Sequence, residues 1–223
     1  IKVTDPYTNR VTIYQDASAP LAEEEIATTT PRVMDCLDCH NRPSHIYRSP
    51  DSAIDQLISV GRIDRSIPSI KRVAVEAMAA DYSSIHEASE SIASQMSDYY
   101  RSTYPDLYSQ MKLQIDAAIV ATEEAYRSNI FPKMGAKWSV YPDNIGHFDH
   151  VGCMRCHDGE HIDSEGIPIT RECDTCHIIL SQGSEDRYEM AGAHPGLRFQ
   201  HPEDIGEAWT EIGCYECHSG VQP

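Results

Sequence analysis

The chain has 223 residues and a formal net charge of -17, with 12 Tyr but only two Trp and three Phe. That length fits one domain and allows two. The acidity excludes nucleic acid and anionic membrane surfaces as natural partners and favours cationic ones. No run approaches the roughly 20 apolar residues of a membrane-spanning helix, so no transmembrane anchor is expected in this chain. The start at Ile1 rather than Met reads as a mature form left after leader cleavage.

In chain order, Ile1–Thr4 and Val11–Tyr14 are short β-type runs flanking the turn sequence Asp5-Pro6-Tyr7-Thr8-Asn9, which predicts a small hairpin. Residues 15–32 read as extended and polar. Ser49-Pro50-Asp51 predicts a helix start, with Ser49 as N-cap and Pro50 in the first turn, and Gly61 its stop. Ile70, Val73, Ala77 and Met78 recur at helical spacing. Ser84 and Glu87 read as a capping box for a helix carrying Ile85, Ala88, Ile92, Met96 and Tyr99 on one face. A further helix is expected from Pro105 through Tyr126. The Met and Tyr side chains of this section are expected in a core, and the section as a helical insertion packed on the first cofactor site. Beyond residue 129 Gly, Pro, His and Cys rise, periodicity disappears, and loops with short helical turns are expected.

All eight cysteines fall into four copies of one unit, C-x-x-C-H: Cys36 and Cys39 with His40, Cys153 and Cys156 with His157, Cys173 and Cys176 with His177, Cys214 and Cys217 with His218. C-x-x-C-H is the c-type haem attachment signature. The thiols form thioethers to the haem edge, and the following His is the proximal iron ligand. A single C-x-x-C also serves zinc or thiol redox chemistry. Zinc does not require a His after every second Cys, and no cysteine is left over for a disulfide. Four haem c groups are therefore expected, with the polypeptide wrapped around closely spaced haems. Covalent haem attachment takes place outside the cytoplasm, so the compartment is the cell exterior or surface, with the periplasm as the alternative.

Seven further histidines can supply distal ligands: His45, His86, His147, His150, His161, His194 and His201. His86 lies inside a helical pattern and His194 in a Gly- and Pro-containing stretch, so both rank low. One of His147 and His150 is expected to ligate. His45 follows His40 by five residues and His161 follows His157 by four, stretches that span at most about 14–18 Å. That reach is too short to pass round a haem edge, so each is expected to ligate a haem other than its own motif's, which interlocks the haems and favours transfer between them.

Asp35-Cys36-Leu37-Asp38-Cys39-His40-Asn41-Arg42-Pro43-Ser44-His45, Ile145-Gly146-His147, Gly152-Cys153 through Gly159-Glu160-His161, and Phe199-Gln200-His201-Pro202-Glu203-Asp204-Ile205-Gly206 resemble segments of multihaem c-type cytochromes of metal-reducing microbes. The likeness runs over roughly residues 33–220 and is greatest to the tetrahaem OmcE-type extracellular filament cytochromes; related segments occur in NapC/NirT-like cytochromes. The resemblance implies His45, His147, His161 and His201 as distal ligands, with His150 below His147. It also implies a homopolymer joined end to end, with one ligand crossing between subunits.

These readings give a mainly α fold with extensive coil: a single tetrahaem domain over 1–223, divided into an N-terminal extended or hairpin segment (1–33), the first haem site (34–48), a helical section (49–130) and a loop-rich three-haem section (131–223). The expected function is non-enzymatic electron transfer through bis-His haems, as a subunit of an extracellular filament. It would exchange electrons with other redox cytochromes or an extracellular acceptor. The alternative is a soluble periplasmic carrier or the electron-donating subunit of a reductase. A reductase with one open haem is disfavoured by the supply of spare histidines.

Overall fold

The computed structural model describes residues 1–39, 46–184, 187–192 and 196–221, without the side chains of Cys39 and Ser184. His40, His45 and His194 lie outside the described residues. Among the described residues the chain is mainly α-helix and coil with three small antiparallel sheets. In order, β1 is Lys2–Thr4, β2 Val11–Ile13, β3 Gln15–Asp16, α1 Glu23–Thr28, α2 Cys36–Cys39, α3 Pro50–Ser59, α4 Ile70–Ala79 and α5 Ile85–Thr103. Then follow α6 Pro105–Gln110, α7 Lys112–Asn129, β4 His161–Ile162, β5 Ser181–Ser184, β6 Arg187–Met190, α8 Ala208–Glu211 and α9 Cys214–Cys217. Among the described residues, single 3-10 turns lie at Pro132–Met134, Gly152–Arg155 and Cys173–Thr175.

Contacts divide the chain into two compact units: Ile1–Met34 with Cys153–Gly213, and Asp35–Gly152 with Cys214–Pro223. Each holds two of the four C-x-x-C-H motifs.

The second unit is built on the helical section. Its core gathers Ile54 from α3, Met78 from α4, Ile92, Met96 and Tyr100 from α5, and Ile115 from α7, all fully buried. Each such large apolar side chain contributes about 1.5–3 kcal/mol by leaving water. The Met and Tyr positions of the section do pack in or against this core.

Local chemistry sets the helix starts. The Ser49 hydroxyl accepts from Ser52 N at 3.2 Å to open α3, and the left-handed Gly61 follows its C-cap Val60. At α5, Ser84 Oγ accepts from Glu87 N at 3.1 Å, but the Glu87 carboxylate turns to Ser83 N at 2.8 Å. The capping box is thus shifted by one residue on its return arm. The single helix expected from Pro105 to Tyr126 is two: Met111 leaves helical geometry at φ -110° and ψ 25°, separating α6 from α7.

The first unit opens with the expected hairpin. β1 and β2 pair Lys2 with Ile13, Val3 with Thr12 and Thr4 with Val11. Asp5 Oδ1 accepts from Tyr7 N and Thr8 N, both at 2.8 Å, which closes the turn. Residues 15–32 are not wholly extended: β3 pairs with β4, and α1 forms behind it. The β5–β6 hairpin was not foreseen either. It pairs Ser181 with Met190 through Ser184 with Arg187.

Candidate functional site

Each described C-x-x-C-H motif winds into about one helical turn. In α9, His218 N donates to Cys214 O at 2.8 Å; the same bond links His157 N to Cys153 O at 3.1 Å and His177 N to Cys173 O at 3.3 Å. In the first motif, α2 spans Cys36–Cys39. Positions i, i+3 and i+4 of a helical turn share one side. In the second, third and fourth motifs the turn therefore gathers two thiols and an imidazole on one side, the arrangement that two thioethers and a proximal ligand require.

The surroundings of the motifs fit a large apolar group. Cysteine is ordinarily among the most buried residue types, yet Cys36, Cys173, Cys176 and Cys217 are exposed. Leu37 within the first motif, Ile178 and Leu180 after the third, and Ile212 before the fourth are exposed as well. Apolar side chains presented next to paired thiols suit a haem edge and face. Among the described residues, no group of three or more His, Cys, Asp or Glu could hold a bare metal ion.

In the second unit, three stretches meet at the start of α3. Ser49 Oγ donates to Asp149 Oδ2 at 2.6 Å, and Asp51 N donates to Gly220 O at 3.0 Å. The Phe148 ring stacks on the His218 imidazole. Residues 147–150 therefore lie beside the fourth motif, with His147 and His150 both half-buried. The loop is tight: a side chain at Gly152 (φ 44°) would meet Gly146 O at 2.0 Å and His150 Cε1 at 3.1 Å. Gly220 (φ 76°) also requires glycine, because a Cβ there would lie 2.7 Å from Ser49 Cβ. His86, in the first turn of α5, is 84% exposed and faces Glu90 at 3.7 Å.

In the first unit, His157 Nδ1 lies 2.8 Å from Thr170 O. A carbonyl only accepts, so Nδ1 is the donor in this contact and Nε2 is the ring nitrogen left for an iron. His161 has a different partner. Its Nδ1 lies 2.7 Å from Asp158 Oδ2, while Asp158 Oδ1 accepts from Glu160 N at 2.8 Å and His161 N at 3.0 Å. Burial raises the Asp158 pKa, but these N–H donors and the imidazole outweigh it and hold the carboxyl below its usual value. The His161 backbone is pinned by β4, through pairing with Asp16 of β3 and by Ile169 N donating to His161 O at 2.8 Å. His201 lies near Glu203, whose carbonyl and N–H both approach Nδ1, at 2.9 and 3.2 Å. A cavity of about 290 Å³ is lined by Phe199, His201, Glu207 and Trp209. Asp158 and Thr170 escaped the sequence reading, although Asp158 stands inside the quoted run from Cys153 to His161.

The chain is 42% identical over 205 residues to the cytochrome c-type protein ImcH of Geobacter sulfurreducens, a match that covers 92% of this chain. The similarity is thus to a c-type cytochrome. The chain spans 40% of that relative's length. No protein-family model matches the chain, and no solved structure matches it. Among the described residues, no helix is long and apolar enough to cross a membrane.

Proposed function

We propose that this chain carries four haem c groups and passes electrons among them. The attachment sites are Cys36 and Cys39, Cys153 and Cys156, Cys173 and Cys176, and Cys214 and Cys217. His40, His157, His177 and His218 are the proximal ligands, and His45, His147, His161 and His201 the distal ones. The observation that carries this reading is the helical turn in the second, third and fourth motifs, which sets both thiols and the imidazole on one side. The haems supply the redox chemistry; the polypeptide holds, orients and shields them and thereby tunes their potentials. With His on both faces the iron has no open position for a substrate, so the chain is an electron-transfer protein rather than an enzyme.

Electron paramagnetic resonance of the oxidised protein, with carbon monoxide added to the reduced form, tests the ligation. Four low-spin haems that ignore carbon monoxide are expected. A high-spin, carbon monoxide-binding haem would move the reading to a reductase.

The finer reading is an extracellular filament subunit joined end to end with copies of itself and exchanging electrons with other cytochromes or an external acceptor. It is supported by the OmcE-type resemblance of the motif-bearing segments. A second reading, an electron-donating segment outside the cytoplasm, is favoured by the similarity to part of a longer cytochrome c-type protein. Cryo-electron microscopy of the purified protein separates them: long filaments support the first reading, and discrete particles with full haem content support the second.

A further inference from the structure

We infer that Asp158 is a positioning residue for an iron ligand: its carboxylate fixes His161 with the proton on Nδ1, presents Nε2 to a haem iron, and lowers that haem's reduction potential. The inference rests on the bis-His reading above, in which His161 is a distal ligand.

Three observations carry it. The Asp158 Oδ2 to His161 Nδ1 distance is 2.7 Å, and a carboxylate can only accept there. The other oxygen, Oδ1, is held by the N–H groups of Glu160 and His161, so the carboxylate cannot swing away from the ring. The backbone of His161 is fixed by its pairing with Asp16 in the β3–β4 ladder. Both the ring orientation and the tautomer are thus set before any iron is bound. The contrast lies within the same unit: His157 gives its Nδ1 proton to the neutral Thr170 carbonyl. An anionic partner makes an imidazole a stronger donor than a neutral one does. The stronger donor stabilises ferric iron, so the haem that takes His161 is expected to be more reducing than an otherwise equal haem with carbonyl-partnered ligands.

The test compares four variants of the haem-loaded chain, His161→Ala, Asp158→Asn, Asp158→Glu and Asp158→Ala, by electron paramagnetic resonance and spectroelectrochemical titration. His161→Ala is expected to turn one haem high-spin and open it to carbon monoxide. Asp158→Asn keeps an oxygen for the Glu160 and His161 N–H groups but places an amide NH₂ against Nδ1. It is expected to leave all four haems low-spin, move one midpoint potential positive and shift the g-values of that haem alone. Asp158→Glu keeps the charge and is expected to return part of that shift. If His161→Ala leaves every haem low-spin, the ligand reading at His161 fails. If His161→Ala gives a high-spin haem but Asp158→Asn moves no potential, the ligand stands and the role of Asp158 is overturned. A shift in Asp158→Ala that is absent in Asp158→Asn would assign the effect to the backbone turn, and would likewise overturn the role of the charge.

Discussion

The Phe148 ring stacks on the His218 imidazole, with centroids 4.1 Å apart and 28° between the planes. Phe148 lies between His147 and Asp149, and Asp149 accepts from Ser49 at the start of α3. The fourth motif is therefore held against a loop distant from it in sequence. If His218 is an iron ligand, Phe148 limits the rotation of its imidazole plane. Phe148→Ala is expected to keep four haems and to alter the g-values of one of them. An aromatic pair of this kind contributes about 0.5–1.5 kcal/mol, so the thermal midpoint should fall by a few degrees at most, measured by circular dichroism at 222 nm.

The contact of Ser49 with Asp149, and its cap on Ser52, predict a second effect. Ser49→Ala removes both bonds, and losing a helix cap costs about 1 kcal/mol. For a chain of this size that corresponds to a fall in melting temperature of roughly 2–4 °C. Gly220→Ala is expected to cost more, about 1–3 kcal/mol, because the left-handed backbone and the close Ser49 and Trp138 atoms oppose any Cβ. A Gly220→Ala protein as stable as the parent in thermal melts would contradict the docking of residues 218–220 on α3.

Tyr100 is fully buried, and its hydroxyl donates to Pro68 O at 2.9 Å. Tyr100→Phe leaves that carbonyl without this donor. An unsatisfied buried polar group costs about 1–3 kcal/mol. Urea unfolding followed at 222 nm should show a lower midpoint at unchanged slope.

Tyr126, almost completely buried in the same core, sets an alkaline limit. Burial pushes its phenol up from 10.0 to about 12. The folded state thus favours the neutral phenol. Its contribution is complete below pH 10 and is lost as the pH rises from about 10 to 12. Chemical unfolding across that window should show stability falling with pH, and Tyr126→Phe should make the fall shallower. An unchanged pH profile in Tyr126→Phe would show that Tyr126 does not set the limit.

How much of this was legible in the sequence follows from the range of the interactions. The hairpin around Asp5 and the cap at Ser49 depend on residues within a few positions, and both were readable. The break at Met111 has no Pro or Gly to mark it, so α6 and α7 read as one helix. In the β5–β6 hairpin, β5 (Ser181-Gln182-Gly183-Ser184) carries no apolar residue to mark a strand; its marker is Gly183, where a Cβ would lie 1.8 Å from Arg187 O. In the candidate site, C-x-x-C-H marks the thiols and following histidines of the proposed attachment sites, because that pattern is local. The stacking of Phe148 on His218 joins residues 70 apart, which no local pattern encodes. The Asp158–His161 pair is local, but it reads as an ordinary turn until the ring nitrogen is placed.

The central claim is four covalently bound haems on this chain. Intact-mass spectrometry of the purified holoprotein, under denaturing conditions that release any non-covalent haem, tests it most directly. The account predicts one dominant species carrying four haem increments, with four Cys-to-Ala motif variants, such as Cys214→Ala with Cys217→Ala, each losing one increment. A dominant species with fewer than four increments, or with none, would contradict it.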